Sequence, residues 1–444
     1  MKTIITKLNF HNTVNVLEEK YNQLEMGGSF FAFFSTQYDY TGNVKHDFFE
    51  IISKGDSLGY DYINTIVFPV ENAQKVSFID NVRYVVWLCK KRSLLLFDKD
   101  CIREKHIWKD VEWGKRAKNY NPKGKDPGNV WIPTLDDGKA NITHHILLSE
   151  EEILTRLLNM TKCGDDYELH EEEIKTISKM EYTPTEFSSF KDKMSRVVFG
   201  TSEKIVSIND GDATTVVTSP PYWDLKDYFK EGQIGQEPYN EYLCRMKNVW
   251  KECYRILEKN GSLWININIR VKGGKVILIP NDIVHTCKEL GFFYRGILIW
   301  HKSSGIPTSD KNIVDRHEYV LLFTKSEAFS VKTHVFKDYS DYKNDKINGG
   351  AFWNINRKAG SVGKKYMHPA IYPNELVERI ISISSDEASL VFDPFLGSGT
   401  SLIVASKLGR AFVGYEYNEG FRELMESRFE VEIPNDDVNF VYQK

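Results

Sequence analysis

Three consecutive segments constrain this chain most: SLVFDP (389–394), GTSLIVASKLG (399–409) and AFVGYEY (411–417). They read as a strand, a glycine-rich turn opening a helix, and a second strand. The same alternation runs upstream. TTVVT (214–218) is a β-branched run stopped by Pro220 and Pro221. Residues 239–258 carry Tyr242, Met246, Val249, Trp250, Cys253 and Leu257 at helical spacing, and Asn260-Gly261 is expected to end that helix. SLWININI (262–269), FYRGILIW (293–300) and HEYVLLFTK (317–325) read as strands, with helices over 280–290 and 373–384. Strands alternating with helices predict a mostly parallel α/β sheet covered on both faces.

The first half makes sense beside the second. Gly28-Ser29-Phe30-Phe31 matches Gly261-Ser262-Leu263-Trp264, and Gly59-Tyr60-Asp61-Tyr62 matches Gly291-Phe292-Phe293-Tyr294. RYVVWLCKK (83–91) matches EYVLLFTKS (318–326), and Asn129-Val130-Trp131-Ile132 matches the region of Phe352-Trp353-Asn354-Ile355. His145 with ILTRLL (153–158) matches His368 with LVERII (376–381). The offset stays near 222–235 residues, too long for a solenoid repeat. The expectation is a divergent internal duplication: a first copy over 1–160, a polar linker over 161–197, and a second domain over 198–444.

A length of 444 residues suits two or three domains, and 41% apolar residues can build sizeable cores. The net charge is −4, so a nucleic-acid partner would require the Lys and Arg to gather on one face. The six cysteines are scattered without a C-x-x-C pair, which argues against a zinc site or a disulfide framework. No signal-peptide core is visible, and no apolar run approaches the roughly 18 residues of a bilayer span. Cytoplasm is the expected compartment.

Two motifs carry chemistry. In DPFLGSGT (393–400) the turn lets a ligand approach backbone amides at a helix N-terminus. Glu416 follows at the end of the next strand, where an acid accepts from ribose hydroxyls. In TSPPYWDL (218–225) two prolines stiffen a strand end and remove two amide donors, leaving carbonyls as acceptors beside a held aromatic ring. A base amino group needs such a site. Its nitrogen lone pair is delocalised into the ring, and acceptors aimed at both N–H bonds free it, while a stacked ring holds the flipped base.

Over about residues 198–430 the chain resembles the N4-cytosine/N6-adenine amino DNA methyltransferases, in the β-class order with the catalytic motif before the cofactor motif. TSPPYW, GQIGQEPYNEYL (232–243), YRILEKNGSLWINI (254–267), ILIWHKSSGIP (297–307), DRHEYVLLFTKS (315–326), HPAIYPNELVERII (368–381), DPFLGSGT and LGRAFVGYEYN (408–418) carry the resemblance. It implies a Rossmann-like sheet that binds S-adenosylmethionine, preceded here by a degenerate methyltransferase-like copy. It implies a catalytic pocket of Ser219, Pro220, Pro221 and Tyr222, with Tyr222 stacking on the target base and Trp223 and Asp224 extending it. It places Asp393, Pro394, Phe395, Gly397, Ser398, Gly399 and Thr400 around the cofactor. Glu416 takes the ribose, and His368, Pro369 and Pro373 lie in the segment over the cofactor. One departure stands out. The family's usual Gly-Asp pair before the catalytic motif is here Gly200-Thr201-Ser202, so either Ser202 replaces the acid or adenine recognition has moved.

In this family Ser before Pro-Pro-Tyr usually accompanies cytosine N4, and Asp or Asn accompanies adenine N6. The resemblance therefore implies N4 of cytosine in double-stranded DNA, with adenine N6 as the alternative. Without a Pro-Cys pair, ring-carbon methylation through a thiolate is disfavoured. An RNA or small-molecule methyltransferase and a catalytically inactive DNA-binding module are the remaining readings. Basic stretches at 90–92, 103–125 and 357–365, the last with Arg357, Lys358, Lys364 and Lys365, suggest a phosphate-contacting cleft between the copies. The family often works as dimers, so the chain is expected either as a monomer whose fused copy supplies a partner surface in cis or as a homodimer, and a cognate restriction endonuclease is an expected partner. No metal site is expected.

Overall fold

In this computed structural model, placement is described for residues 3–8, 13–75, 79–104, 121–132, 134–135, 144–145, 147–162, 167–171, 187–190, 194–224, 230–302, 312–329, 331–332, 335, 350–356, 373–434 and 436–443. The first sheet holds β1 (Thr3–Lys7), β2 (Ser29–Phe34), β3 (Asp61–Lys75), β4 (Ile79–Cys89) and β5 (Tyr167–Glu171), in the order β3-β4-β2-β1-β5. The second holds β6 (Ser195–Phe199), β7 (Ala213–Thr218), β8 (Leu257–Ile267), β9 (Phe293–His301), β10 (His317–Thr324), β11 (Phe352–Asn354), β12 (Leu390–Asp393), β13 (Ala411–Glu416) and β14 (Val438–Tyr442). Its order is β11-β9-β10-β8-β7-β12-β13-β6-β14. Helices α1 (Thr13–Gln23), α2 (Phe48–Ser57) and α3 (Glu150–Thr161) accompany the first sheet. Helices α4 (Tyr239–Ile256), α5 (Ile279–Glu289), α6 (Asn374–Ser384), α7 (Thr400–Lys407) and α8 (Arg422–Glu432) accompany the second. Among the described residues no helix is long and apolar enough to cross a membrane.

The first sheet has the strand order, directions and register of part of the second. β2 pairs antiparallel with β4 from Ser29↔Cys89 to Phe34↔Tyr84, and β8 pairs with β10 from Ser262↔Thr324 to Ile267↔Tyr319. The outer antiparallel pairs slip in register at matching places, between Tyr62 and Asn64 and between Tyr294 and Gly296. β1 and β7 both sit parallel between their neighbours. At the outer edge the Val67 amide donates to Asn129 O (2.8 Å), as the Ile299 amide donates to Ala351 O (2.6 Å). Trp131 Nε1 donates to Gly128 O (3.1 Å), as Trp353 Nε1 donates to Gly350 O (3.0 Å). Among the described residues the first sheet ends at β5, whereas the second continues through β13, β6 and β14.

These edge segments join the halves. Gly128 leaves no room for a Cβ against Arg316, and Gly350 leaves none against Asn81. Arg316, immediately before β10, and Asn81, inside β4, occupy matching positions. The Asn129 side chain bonds Asp315 (2.7 Å) and accepts from the Arg316 amide (2.8 Å), while Asn81 Oδ1 accepts from the Ala351 amide (2.8 Å). Phe48 packs on both Tyr84 and Tyr319, with ring centroids at 4.4 and 5.4 Å. The interface is therefore continuous with the main apolar core.

Two boundaries differ from the sequence reading. The linker expected over 161–197 contains β5, which extends the first sheet past residue 160, and the start of β6. Its polar composition concealed them because β5 is an edge strand, with Tyr167 and Leu169 exposed. Helix α4 ends at Ile256, and Leu257 already pairs with Ala213. Asn260-Gly261 lies inside β8, where a Cβ on Gly261 would stand 2.8 Å from the Leu257 side chain and 3.1 Å from Ala213 O.

Candidate active site

β7 and β12 are adjacent and parallel, so the turns that leave their C-terminal ends face one crevice. That crevice is a cavity of about 830 Å³ counting its solvent-open part. Its lining joins both predicted motifs: Ser219 and Pro221 from the first, and Pro394, Phe395, Gly397, Ser398 and Glu416 from the second.

Glu416 is the electrostatic centre of the cofactor side. One carboxylate oxygen accepts from the Gly397 amide (2.8 Å) and the other from the Asn418 amide (2.7 Å). Burial pushes its carboxyl up to about 7, against the pull of those amides, and the nearby Asp393 raises it further. Gly397 and Gly399 adopt φ of 56° and 83°, and a Cβ on Gly399 would stand 3.1 Å from the Met425 side chain.

Asp393 and Thr400 are fully buried and shape the turn from behind. Asp393 accepts from the Phe395 amide (3.0 Å) and from the Ser401 hydroxyl. Arg428, 2% exposed, braces the same turn by donating to Ser398 O (2.7 Å), Ser398 Oγ (3.0 Å) and Thr400 Oγ1 (3.2 Å). Gly200, Thr201 and Ser202 line the cavity where the family's acid was missing. Glu203, one residue on, is spent on Arg245 (2.7 Å), which holds it below the usual carboxylate range despite partial burial.

On the acceptor side, Pro221 O already accepts from Tyr242 OH (3.0 Å), so not every motif carbonyl stands open. Arg270 takes the Trp223 and Asp224 carbonyls. Ser219 Oγ lies 3.4 Å from Asn266 Nδ2. Trp223 Nε1 bonds Glu237 O (2.7 Å), and Asp224, at φ 49°, bonds Gly235 O through its amide (2.8 Å) and pairs with Lys272. Trp223 and Asp224 thus sit beside the pocket wall, pinned by the 235–237 segment and by the hairpin that carries Arg270 and Lys272. Tyr222 OH donates to Glu318 on β10 (2.9 Å).

Lys230, Gln233, Ile234, Arg245, Leu396, Tyr417 and Asn418 complete the lining and were not among the expected site residues. Glu318 was missed too, although a lone acid inside the apolar run of HEYVLLF was a visible signal. His368, Pro369, Arg357, Lys358, Lys364 and Lys365 lie outside the described residues, as does most of the basic stretch 103–125.

The sequence profile of the N6/N4 family, described as DNA methylase, matches residues 213–427. The type II methyltransferase M.Cfr9I of Citrobacter freundii is 30% identical over 263 residues, covering 51% of this chain and 84% of that protein. M.SmaI of Serratia marcescens is 30% identical over 268 residues, covering 52% and 90%. A Thermus thermophilus protein described as a DNA modification methylase was solved in complex with S-adenosyl-L-methionine. It covers 56% of this chain and 99% of its own at 26% identity, with a TM-score of 0.43. The matched stretch runs from the strand that delivers Ser219 through the strand that ends in Glu416, and this chain belongs to the N6/N4 DNA methylase family.

Proposed function

We propose that this chain transfers a methyl group from S-adenosylmethionine to the N4 amino group of a cytosine flipped out of double-stranded DNA. The observation that carries the reading is one cavity lined by Ser219 and Pro221 together with Glu416 and the Gly397 turn. The residues present fit the cofactor. Glu416 offers a carboxylate to the ribose, Phe395 an apolar face, and Gly200 to Ser202 a wall for the adenine. S-adenosylmethionine supplies an electrophilic methyl group when bound.

The protein's own part is to position and polarise the acceptor. Ser219 Oγ and the neighbouring carbonyls accept from the amino N–H bonds, which returns electron density to the nitrogen as the methyl transfers. The Tyr222 ring stacks on the base face. Ser219 in place of an acid supports cytosine. Mass spectrometry of nucleosides from DNA of an expressing host tests this: N4-methylcytosine is the expected product, and N6-methyladenine alone would move the assignment to the other base. Calorimetry addresses an inactive DNA-binding role, which predicts no cofactor binding.

Residues 1–171 act in this reading as a fused, non-catalytic copy that takes the place of a second subunit and contributes to DNA contact. Lys7 stands where the second half has Ser219, and it is tied to Glu150 (2.6 Å) at the start of α3. The relatives' description as type II methyltransferases supports a role beside a restriction endonuclease in the cytoplasm.

A further inference from the structure

Behind the acceptor pocket lies a group of charges that the proposed function leaves unexplained. Glu318 is partly buried on β10, its side chain 18% exposed, and three donors converge on it. Lys302 Nζ reaches one oxygen (2.9 Å), while Tyr222 OH (2.9 Å) and Asn266 Nδ2 (2.7 Å) reach the other. Asn266, 4% exposed, also turns Nδ2 toward Ser219 Oγ (3.4 Å). Burial alone would raise the Glu318 carboxyl, but Lys302 and the hydrogen bonds outweigh it and hold the group below the usual range, as a carboxylate. A buried ion pair is weak evidence for stability, so its presence calls for another explanation.

The molecule contains its own control. By strand register, Glu318 corresponds to Arg83, Asn266 to Phe33, Lys302 to Val70 and Ser219 to Lys7. The first sheet keeps the architecture and has none of the four. The fold does not require this network, which is confined to the half with the acceptor pocket.

We propose that Glu318 is the positioning residue of the acceptor pocket. Fixed by Lys302, it anchors the Tyr222 ring directly and orients the Ser219 hydroxyl through Asn266. The stacking face and the amino-accepting edge are then set by one carboxylate. The inference rests on the proposed function, because it takes Tyr222 and Ser219 as the groups that hold the base.

The test uses the full chain with Tyr222→Phe, Glu318→Gln and the double variant. The readouts are the single-turnover methyl-transfer rate, the cofactor Kd and the 19F resonance of Tyr222 in 3-fluorotyrosine-labelled protein. Glu318→Gln is expected to lower the transfer rate about 10²-fold, the scale of a small misplacement of reacting groups, with the cofactor Kd within about twofold. Tyr222→Phe, which removes only a hydroxyl and does not threaten folding, is expected to lose about tenfold. The double variant should be no worse than Glu318→Gln alone, because both act through one anchor. The Tyr222 resonance should shift or broaden in Glu318→Gln. Wild-type transfer in Tyr222→Phe, fully multiplicative losses, or an unmoved resonance in folded Glu318→Gln would each overturn the proposal. If the unmodified chain methylates no DNA, the functional reading falls, and the resonance still decides whether Glu318 holds Tyr222.

Discussion

The five strands of the first sheet and their counterparts in the second differ little in backbone and almost completely in chemistry. Both run in the same order with the same directions, and both slip in register at the same place. At the end of the second central strand stand Ser219, Pro220 and Pro221. At the end of the first stands Lys7, paired with Glu150. The second sheet then adds β13, β6 and β14, which bring Glu416 and the Gly200 turn to the crevice, while among the described residues the first stops at β5. The difference teaches that apolar alternation is enough to hold this sheet, whereas catalysis requires particular groups at strand ends.

The comparison can be broken most directly at the pocket. Tyr222→Ala is expected to lower methyl transfer by at least about 10²-fold while cofactor binding persists, because the ring is proposed to position the base rather than the donor. Transfer and calorimetry on the same preparation check this. Glu416→Gln should weaken cofactor binding about tenfold at pH 8, the scale of a lost charge-assisted hydrogen bond. Burial pushes its carboxyl up to about 7, so the carboxylate proposed to take the ribose is depleted as pH falls through 7. Wild-type affinity should decline from pH 8 to 6, and the variant's should be flat. Calorimetry should also find one cofactor per chain, and two would mean that the first half is not degenerate.

The interface gives a smaller contrast. Gly350→Ala is expected to destabilise by about 2 kcal/mol, because its Cβ would meet Asn81, a buried side chain held by the Ala351 amide. Gly128→Ala should cost less, since the Arg316 side chain it meets is long and can shift. Equal losses in denaturant unfolding would break that distinction.

The smallest effect is expected at Asp47, which caps α2 by accepting from the Phe49 amide (3.0 Å). The corresponding helix α5 starts without a side-chain cap. Burial, reinforced by Glu50, pushes the Asp47 carboxyl to about 7. A raised acid favours the folded state below its unfolded pKa, and that advantage is lost as pH rises through 7. Asp47→Asn keeps the cap without the charge. It should gain about 1–2 kcal/mol over wild type at pH 8 and much less at pH 5, measured by urea unfolding at both values.

Much of this was local and therefore legible. The stripe of α4, the β-branched run of β7 and the glycine-rich turn before α7 each follow from spacing within one segment. β5 was hidden because an exposed edge strand needs no apolar alternation, and the end of α4 because the pairing of Leu257 with Ala213 overrode the local turn signal. The expectation that motif carbonyls stand open met Tyr242, whose hydroxyl reaches Pro221 O from 21 residues away.

By itself the sequence determined the strands and helices around the two motifs, the motifs themselves and the similarity of the halves, since short-range periodicity and backbone sterics set these. Tertiary structure decided what each motif touches. Asp393 braces the turn from behind instead of lining the cavity, and Tyr222 gains a carboxylate 96 residues away. Contacts at such separations are set by how sheets and helices pack, and no local pattern encodes them.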